Sequence, residues 1–344
     1  MCEAQVPFVQ GGAELLVRAL VSQLQQRGYE AELVSVPFKG GPPEELLAHA
    51  AAWRLLDLSE SHRQPIDLCI AMKFPTYFVR HPRKVAWLMH QHRPAYDLCG
   101  TPYSDFTHAD RDVGLRSTLI RLDTEILGEA RHLYTISRNT SNRLAKYNGL
   151  RGEPLYPPPP FADRLEPGPY GDYVLSVGRL EATKRPELAV EAMRHVSPPT
   201  RLVLVGDGPL RATLEATVES HGLADRVTFA GAVDESTLLD LYREALGIVY
   251  VPYDEDYGFV TLEAFLAQKP VVTVTDAGGP LEFVEDGVTG EVTPPDARAL
   301  ADAIARLVGH VGRAERLGQA GFDRARLVTW DQVIEKLTAP GHDD

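Results

Sequence analysis

The stretch from residue 253 to residue 283, Y-D-E-D-Y-G-F-V-T-L-E-A-F-L-A-Q-K-P-V-V-T-V-T-D-A-G-G-P-L-E-F, joins a helical pattern to a strand pattern. Gly258 opens the apolar helical run, and a helix start presents unpaired backbone N–H groups and a positive dipole end that attract phosphate. Glu255 and Glu263 stand eight positions apart around this glycine. Because carboxylates accept hydrogen bonds from sugar hydroxyls, the stretch predicts a site for a sugar nucleotide.

The same alternation of strand-like and helix-like segments continues along the chain, which predicts an α/β fold with doubly wound sheets. The predicted strands lie at residues 32–36, 67–71, 84–89, 132–136, 173–177, 201–205, 227–229, 247–251 and 271–274. The predicted helices lie at residues 12–27, 43–58, 113–130, 137–147, 186–194, 210–221, 235–245, 260–267, 297–307 and 318–326, and near Trp330 onwards. Ser137 is the expected N-cap of its helix. Since only C-E-A-Q-V precedes the first glycine turn, strand one is expected to be very short and to lack some residues.

Four consecutive prolines at residues 157–160 divide the chain, because they continue neither a helix nor a central strand and they stiffen a linker. The length of 344 residues fits two domains of about 150 to 200 residues each. We therefore expect Rossmann-like domains at residues 1–160 and 161–328, followed by a last helix and tail at residues 329–344.

The composition, with 44% hydrophobic and 24% charged residues, is typical of a globular protein. The sequence has no apolar run of roughly 20 residues and no signal-peptide pattern at its start, so a cytoplasmic location is expected. The cysteines Cys2, Cys69 and Cys99 share no motif spacing and are expected to be reduced and structural.

The formal net charge of −13 is unevenly spread, with −14 on residues 161–344 and +1 on residues 1–160. This acidity disfavours nucleic acid as a partner, although a single nucleotide remains compatible with it. Cationic residues gather in the first half, at Arg111, Arg116, Arg121, Arg131, Arg138, Arg143 and Lys146. Two interpretations stay open for them: peripheral contact of the first domain with an anionic membrane, or a solvated helix face.

The segment S-V-G-R-L-E-A-T-K-R-P-E-L at residues 176–188 places two cations after a predicted strand. Gly178 ends the strand, Arg179 follows it, and Lys184 lies near the next helix start. In open α/β sheets, ligands bind outside the carboxyl ends of the strands. The two cations there would neutralise a diphosphate. The alternative is that they form surface pairs with Glu181.

Further glycine turns follow other strand patterns. Gly11-Gly12 either lets the backbone approach a ligand or forms a simple tight turn. Gly206 and Gly208, in L-V-L-V-G-D-G-P-L, are expected to admit a flat ring against the backbone. Asp207 between them is expected to cap the following helix.

Two histidines and an acidic triplet complete the candidates. His90 and His92 end a strand pattern and belong either at the rim of a binding crevice or among buried structural histidines. The contiguous acids Asp254-Glu255-Asp256 do not predict a metal site, since three neighbouring carboxylates rarely converge on one ion without further ligands.

Five motifs occur in the order and spacing of a known family: G-G-A-E (11–14), G-R-L-E-x-x-K (178–184), G-D-G-P (206–209), E-x7-E (255–263) and G-G-x-x-E (278–282). The chain thereby resembles glycosyltransferase family 4. Its segment L-M-H-Q-H-R-P-A-Y-D-L is similar to bacterial members found with surface-polysaccharide and lipopolysaccharide genes. The resemblance implies the GT-B fold, in which two Rossmann-like domains face each other across a cleft and the C-terminal helix crosses back to the first domain.

The resemblance also implies an activity. It is the retaining transfer of a hexose from a UDP-, GDP- or ADP-sugar to a sugar or glycolipid acceptor, without a metal or cofactor. By the resemblance, Arg179 and Lys184 would bind the diphosphate, and the N–H groups of Gly258, Phe259 and Val260 would bind the distal phosphate. Glu255 would bind the transferred sugar, and Glu263 would bind the ribose. Gly11 and Gly12 would approach the donor from the opposite domain, and His90 would lie near the sugar and the acceptor face. Gly178, Gly206, Gly279 and Glu282 complete the implied donor site.

Other functions of similar architecture remain alternatives. A nucleotide-sugar epimerase would leave nucleotide and sugar joined. A phosphorylase would need pyridoxal phosphate. A non-catalytic subunit that only binds the sugar nucleotide is disfavoured, because the Arg, Lys and Glu positions are all filled.

Overall fold

The computed structural model describes residues 1–7 and 11–339. The chain forms two compact units, one of Met1–Pro160 with Thr329–Asp344 and one of Phe161–Val328. Each unit contains a parallel sheet flanked by helices, and the predicted α/β class is confirmed.

The strands of the first unit are β1 (Cys2–Gln5), β2 (Val34–Pro37), β3 (Glu60–Ser61), β4 (Gln64–Pro65), β5 (Cys69–Lys73), β6 (Lys84–His90), β7 (His132–Thr135) and β8 (Glu153–Pro154). Its sheet has six strands among the described residues, in the parallel order β2-β1-β5-β6-β7-β8, and β3 and β4 form a separate antiparallel pair. The long strands β5 and β6 are buried, so they read as continuous apolar runs.

The expectation that strand one lacks residues is wrong. β1 pairs in parallel with β2 over all four of its residues, from Cys2 opposite Val34 to Gln5 opposite Pro37. The polar residues of this segment made the strand hard to recognise in the sequence. Glu3 is only 3% exposed, and its burial is possible because it accepts a hydrogen bond of 2.7 Å from the Ser35 hydroxyl on the neighbouring strand. A buried carboxylate with a partner of this kind does not interrupt a strand.

The helices of the first unit before the linker are α1 (Gly12–Gln26), α2 (Leu46–Leu55), α3 (Asp110–Gly128) and α4 (Arg138–Asn148). Ser137 caps α4 as predicted, since its hydroxyl accepts the Thr140 N–H at 2.9 Å. Trp53 and Trp87 are among the largest side chains of the core between sheet and helices.

The strands of the second unit are β9 (Tyr173–Val177), β10 (Arg201–Val205), β11 (Val227–Gly231), β12 (Gly247–Val249), β13 (Val271–Val274) and β14 (Gly290–Thr293). Their parallel order is β11-β10-β9-β12-β13-β14. The helices are α5 (Pro186–Ala192), α6 (Arg211–Ser220), α7 (Glu235–Glu244), α8 (Phe259–Leu266), α9 (Ala297–Val308) and α10 (Val311–Ala325). Strand β14 and the first two turns of α10 were not predicted.

The last helix, α11 (Trp330–Thr338), starts where the sequence predicts and belongs to the first unit. Asp331 pairs with Arg27 at the end of α1. The Tyr29 hydroxyl donates to the Thr338 hydroxyl at 3.1 Å. The chain therefore completes its first unit after it has built the second. Within the described residues, no helix combines the length and the apolar character needed to cross a membrane.

Candidate active site

The strand order of the second unit reverses at β9. The chain passes from β9 to β10 on one side, and β12 lies on the other side of β9. Ligands of open α/β sheets bind at the carboxyl ends of the strands where the order reverses. The loops that follow β9 and β12 at this edge carry the motifs around Gly178 and Glu255.

The glycine loops after β9 and β10 pack directly against each other. A Cβ on Gly206, which has a φ of +120°, would lie 2.1 Å from the Gly178 carbonyl oxygen, and one on Gly208 would lie 2.5 Å from the Leu180 carbonyl oxygen. The glycines at 206 and 208 are thus required by the contact between the two loops. Asp207 does not cap α6, because its carboxylate accepts the neighbouring Gly208 N–H at 2.7 Å.

A cation and a carboxylate meet at this edge. The ammonium of Lys184 donates to Oε2 of Glu255, 71 positions further along the chain, and both side chains are mostly buried, with 23% and 18% exposed. The Tyr250 hydroxyl donates to the same oxygen at 3.2 Å. Burial and the nearby Glu255 carboxylate raise the pKa of Tyr250 well above its usual range, so this hydroxyl keeps its proton.

Arg185, which sequence reasoning did not single out, ties the Lys184 loop to the segment before Glu255. Its guanidinium contacts both carboxylate oxygens of Asp276 at 2.7 and 2.9 Å, and Nε donates to the Val251 carbonyl at 2.9 Å. The residue has a φ of +48° and its side chain is 10% exposed. The signal in the sequence was weak: a second cation directly before the proline that starts α5.

Glu263 lies inside α8 and is buried, with 8% exposed. The Tyr242 hydroxyl of α7 donates to its Oε2 at 2.6 Å. Burial raises the pKa of Glu263, and the hydrogen bond from Tyr242 opposes that rise without cancelling it.

The start of α8 is shaped by glycine. Gly258, the N-cap, has a φ of +83°, and a Cβ there would lie 2.8 Å from Cε1 of Tyr250. Phe259 and Val260 form the first turn, whose N–H groups have no partner within the helix. The carboxylate of Glu255 and this helix start thus lie against one tyrosine ring.

The glycine pair after β13 holds the Glu255 segment in place. The Gly279 N–H donates to the Glu255 carbonyl at 2.7 Å, and the Glu255 N–H donates to the Ala277 carbonyl at 2.8 Å. A Cβ on Gly279 would lie 2.7 Å from the Asp256 carbonyl oxygen. Glu282 ends the 3₁₀ turn Gly279–Glu282 that follows.

Among the contacts of the described residues, Arg179 does not pair with Glu255 or Glu263. Its guanidinium pairs with Glu181 at 3.0 Å, and 62% of its side chain is exposed. This is the surface pair that the sequence left open as an alternative. An exposed pair of this kind is worth about 1 kcal/mol or less, so a bound anion can displace it.

In the first unit, Gly11 and Gly12 lie at the start of α1, and Gly11 is its N-cap. Oε2 of Glu14 accepts the Gly11 N–H at 3.0 Å, and its Oε1 accepts from the Lys73 ammonium at 2.7 Å. Both side chains are about nine-tenths buried, with 10% of Lys73 and 9% of Glu14 exposed. The glycine loop is therefore held by a buried ion pair that the sequence did not reveal.

His90 and His92 differ. Nδ1 of His90 lies 2.8 Å from the Gln91 carbonyl oxygen, which can only accept, so the proton is on Nδ1. His90 is opposite Lys73 in the β5–β6 register, at the carboxyl end of the sheet. His92 packs against the rings of Phe74 and Phe106, and burial lowers its pKa to about 4. His92 is thus the structural histidine of the two.

In the described parts of the chain, no group of three or more His, Cys, Asp or Glu residues is arranged to hold a metal ion.

Of the cationic residues in the first half, Arg143 is buried and lies 3.3 Å from Asp97, while Arg121 lies 3.7 Å from Glu125.

Solved structures of known proteins share this architecture. Sucrose-phosphate synthase from Thermosynechococcus elongatus superimposes with a TM-score of 0.73 at 22% identity and covers 98% of this chain and 96% of its own. HepE from Anabaena, solved in complex with UDP and glucose, gives 0.71 at 18% identity, covering 98% and 99%. The chain has the fold of these proteins, the GT-B fold.

The second unit is also similar to known proteins in its sequence. Residues 166–324 match the family model of the group 1 glycosyl transferases. The D-inositol 3-phosphate glycosyltransferase of Xylanimonas cellulosilytica is 33% identical over 169 residues, which are 48% of this chain and 40% of that protein. The family match lies within the second unit, which is similar there to the group 1 glycosyl transferases. The matched region spans about two fifths of the length of such curated relatives.

Proposed function

We propose that this protein is a retaining hexosyltransferase of glycosyltransferase family 4 type, which transfers a sugar from a nucleoside diphosphate donor to an acceptor hydroxyl. The observation that carries the proposal is the contact between Lys184 and Glu255 beside the start of α8. In this contact, a cation suited to phosphate lies next to a carboxylate suited to sugar hydroxyls, at the edge of the sheet where ligands of such folds bind.

The chemistry requires the leaving group to be stabilised more in the transition state than in the ground state. As the bond between sugar and diphosphate breaks, negative charge grows on the phosphate oxygens. Lys184, the displaced guanidinium of Arg179 and the N–H groups of Phe259 and Val260 are suited to meet that charge without a metal ion. Preorganised donors of this type are each worth about 3 kcal/mol, or roughly a hundredfold in rate.

The two glutamates take different parts of the donor in this proposal. Glu255 binds hydroxyls of the transferred sugar, and Glu263 binds the ribose. Gly178, Gly206, Gly279 and Glu282 belong to the surrounding loops. The departing phosphate accepts the proton of the acceptor hydroxyl.

We place the acceptor with the first unit. Gly11 and Gly12 lie at the start of α1, and His90 ends β6 opposite Lys73, at the carboxyl edge of the sheet. The proposed acceptors are sugars or glycolipids of cell-surface polysaccharide or lipopolysaccharide synthesis in the cytoplasm. Peripheral membrane contact stays a prediction, and the pairing of Arg121 and Arg143 with acidic residues weakens the basic surface on which it rests.

The donor is proposed to be a UDP-, GDP- or ADP-sugar, with UDP-glucose as the first to test because HepE was solved with UDP and glucose. Thermal-shift measurements with each donor identify the base, since a ligand at 100 times its dissociation constant adds about 2.7 kcal/mol of stability. Release of nucleoside diphosphate then separates transfer or hydrolysis from epimerisation, which leaves the donor intact.

Two lysine variants test the site. Lys184→Ala should lower the turnover of the folded protein by roughly a hundredfold. Lys336→Ala, which removes a surface pair with Glu153 of 3.0 Å, is the matched control and should keep wild-type turnover. Full activity of folded Lys184→Ala would disprove the proposed role, and absence of nucleotide binding by the wild type would disprove the function.

A further inference from the structure

Two buried tyrosines contact the glutamate pair of the second unit. Tyr250 follows β12 and is 5% exposed, and Tyr242 is the buried residue of α7, with 1% exposed. Tyr250 donates to Oε2 of Glu255 at 3.2 Å, and Tyr242 donates to Oε2 of Glu263 at 2.6 Å. The two tyrosines come from different elements, yet each meets one glutamate through the same kind of atom.

We propose that Tyr250 and Tyr242 are positioning residues of the donor site, which fix the carboxylate planes of Glu255 and Glu263 for the hydroxyls of the transferred sugar and of the ribose. This inference rests on the proposed function. The inference goes beyond the proposed function because it assigns separate parts of donor recognition to two side chains that need not touch the donor.

The chemistry of burial supports the assignment. A buried hydroxyl that loses its partner costs roughly 1 to 3 kcal/mol, so phenylalanine would be the safer residue in a purely structural role. Both hydroxyls are matched to a carboxylate, and a hydrogen bond to a charged acceptor is about twice as strong as a neutral one. The hydrogen bond to the carboxylate thus offsets the free-energy cost of burying each hydroxyl, and it also orients the carboxylate.

Tyr250 has a second contact that links it to the phosphate end of the site. Its ring lies under Gly258, where a Cβ would come within 2.8 Å of Cε1. The backbone N–H of Tyr250 donates to the Val272 carbonyl at 3.0 Å, which fixes the tyrosine to β13. One rigid side chain therefore sets the distance between the Glu255 carboxylate and the start of α8.

Three tyrosine-to-phenylalanine variants test the inference, because each keeps the ring packing and removes only the hydroxyl. Tyr242→Phe and Tyr250→Phe probe the two glutamates. Tyr173→Phe is the control, since its hydroxyl donates to the Leu241 carbonyl at 2.8 Å and contacts neither glutamate in the structure described. Binding is measured by calorimetry with UDP, GDP and ADP, and turnover by release of nucleotide from UDP-glucose, GDP-mannose and ADP-glucose.

Tyr242→Phe should weaken the binding of the nucleoside diphosphate about tenfold. Tyr250→Phe should keep that dissociation constant and lower kcat with the sugar nucleotide about tenfold. Tyr173→Phe should change neither quantity. This split separates positioning from a structural role, because a general loss of folding would weaken nucleotide binding and lower kcat in both variants.

Two results would overturn the inference alone: an active wild type with both variants equal to Tyr173→Phe, or equal losses of nucleotide affinity in Tyr242→Phe and Tyr250→Phe. A wild type that binds none of the three nucleotides and releases none from the three sugar nucleotides overturns the proposed function, and this inference with it.

Discussion

Replacing Lys73 by methionine should destabilise the first unit, because the carboxylate of Glu14 would stay buried without its cation. The Lys73 ammonium lies 2.7 Å from Oε1 of Glu14, and the two side chains are 10% and 9% exposed. Removing one partner of such a buried pair costs about 3 to 5 kcal/mol. The Gly11 N–H, 3.0 Å from Oε2, remains but does not supply a charge.

The double variant Glu14→Gln/Lys73→Met should recover most of that loss. Glutamine keeps an oxygen that accepts the Gly11 N–H and carries no charge to bury. Replacing a whole buried pair by uncharged residues is often close to neutral, so a coupling energy of about 2 kcal/mol or more is expected from the four-member cycle.

Tryptophan fluorescence in urea measures this effect selectively. The chain has three tryptophans, Trp53, Trp87 and Trp330, and all belong to the first unit. A difference of less than about 1 kcal/mol between wild type and Lys73→Met at pH 8, or equal stabilities of the single and double variants, would refute the reasoning.

The pH dependence gives an independent check. Burial raises the pKa of Glu14, but Lys73 and two backbone hydrogen bonds together lower it by more. The pKa of Glu14 is therefore lowered from its usual value of 4.5. In the wild type, this contribution to stability is present above 4.5 and is lost as the pH falls through the lower folded value. In Lys73→Met, burial should instead raise the pKa, and the penalty should shrink as the pH falls and Glu14 takes up a proton.

Three further changes have defined outcomes. Burial raises the pKa of Asp123 from 3.8 to about 7. The stability of the first unit should therefore fall as the pH rises between these two values. Asp123→Asn should not show that fall when stability is measured by the same fluorescence titration. Gly206→Ala should destabilise the second unit by about 2 kcal/mol or more, because the new Cβ would lie 2.1 Å from the Gly178 carbonyl oxygen; an unchanged urea midpoint in far-UV circular dichroism would contradict this. Asp276→Ala should cost about 2 kcal/mol in the same assay, since the largely buried Arg185 guanidinium loses its anion, and a wild-type midpoint would show that the carbonyl contacts of Arg185 suffice.

The strands that the sequence predicts best are those buried on both faces. Strands β9, β10 and β13 have the predicted bounds because each is an apolar run that ends at a turn residue. The edge strand β14 was missed because its residues G-E-V-T alternate polar and apolar side chains over only four positions. Strand β1 was misjudged because the partner of Glu3 is 32 residues away on another strand.

The candidate site shows the same limit. Spacing alone marked Lys184, Glu255 and Glu263, but not the contact between the first two, which are 71 positions apart. The roles of Tyr242 and Tyr250 were hidden as well, since a tyrosine in an apolar segment has the pattern of an ordinary core residue. Their hydroxyls acquire meaning only when packing brings each one to a carboxylate.

Helix α11 makes the first unit discontinuous in sequence, with consequences for synthesis on the ribosome. The nascent chain releases residues 1–160 well before Asp331 and Thr338 exist to contact Arg27, the C-cap of α1, and Tyr29, which follows it. The second unit, continuous over Phe161–Val328, can mature in the meantime. We therefore expect the surface of α1 that α11 covers to stay exposed to solvent during translation until α11 has been synthesised.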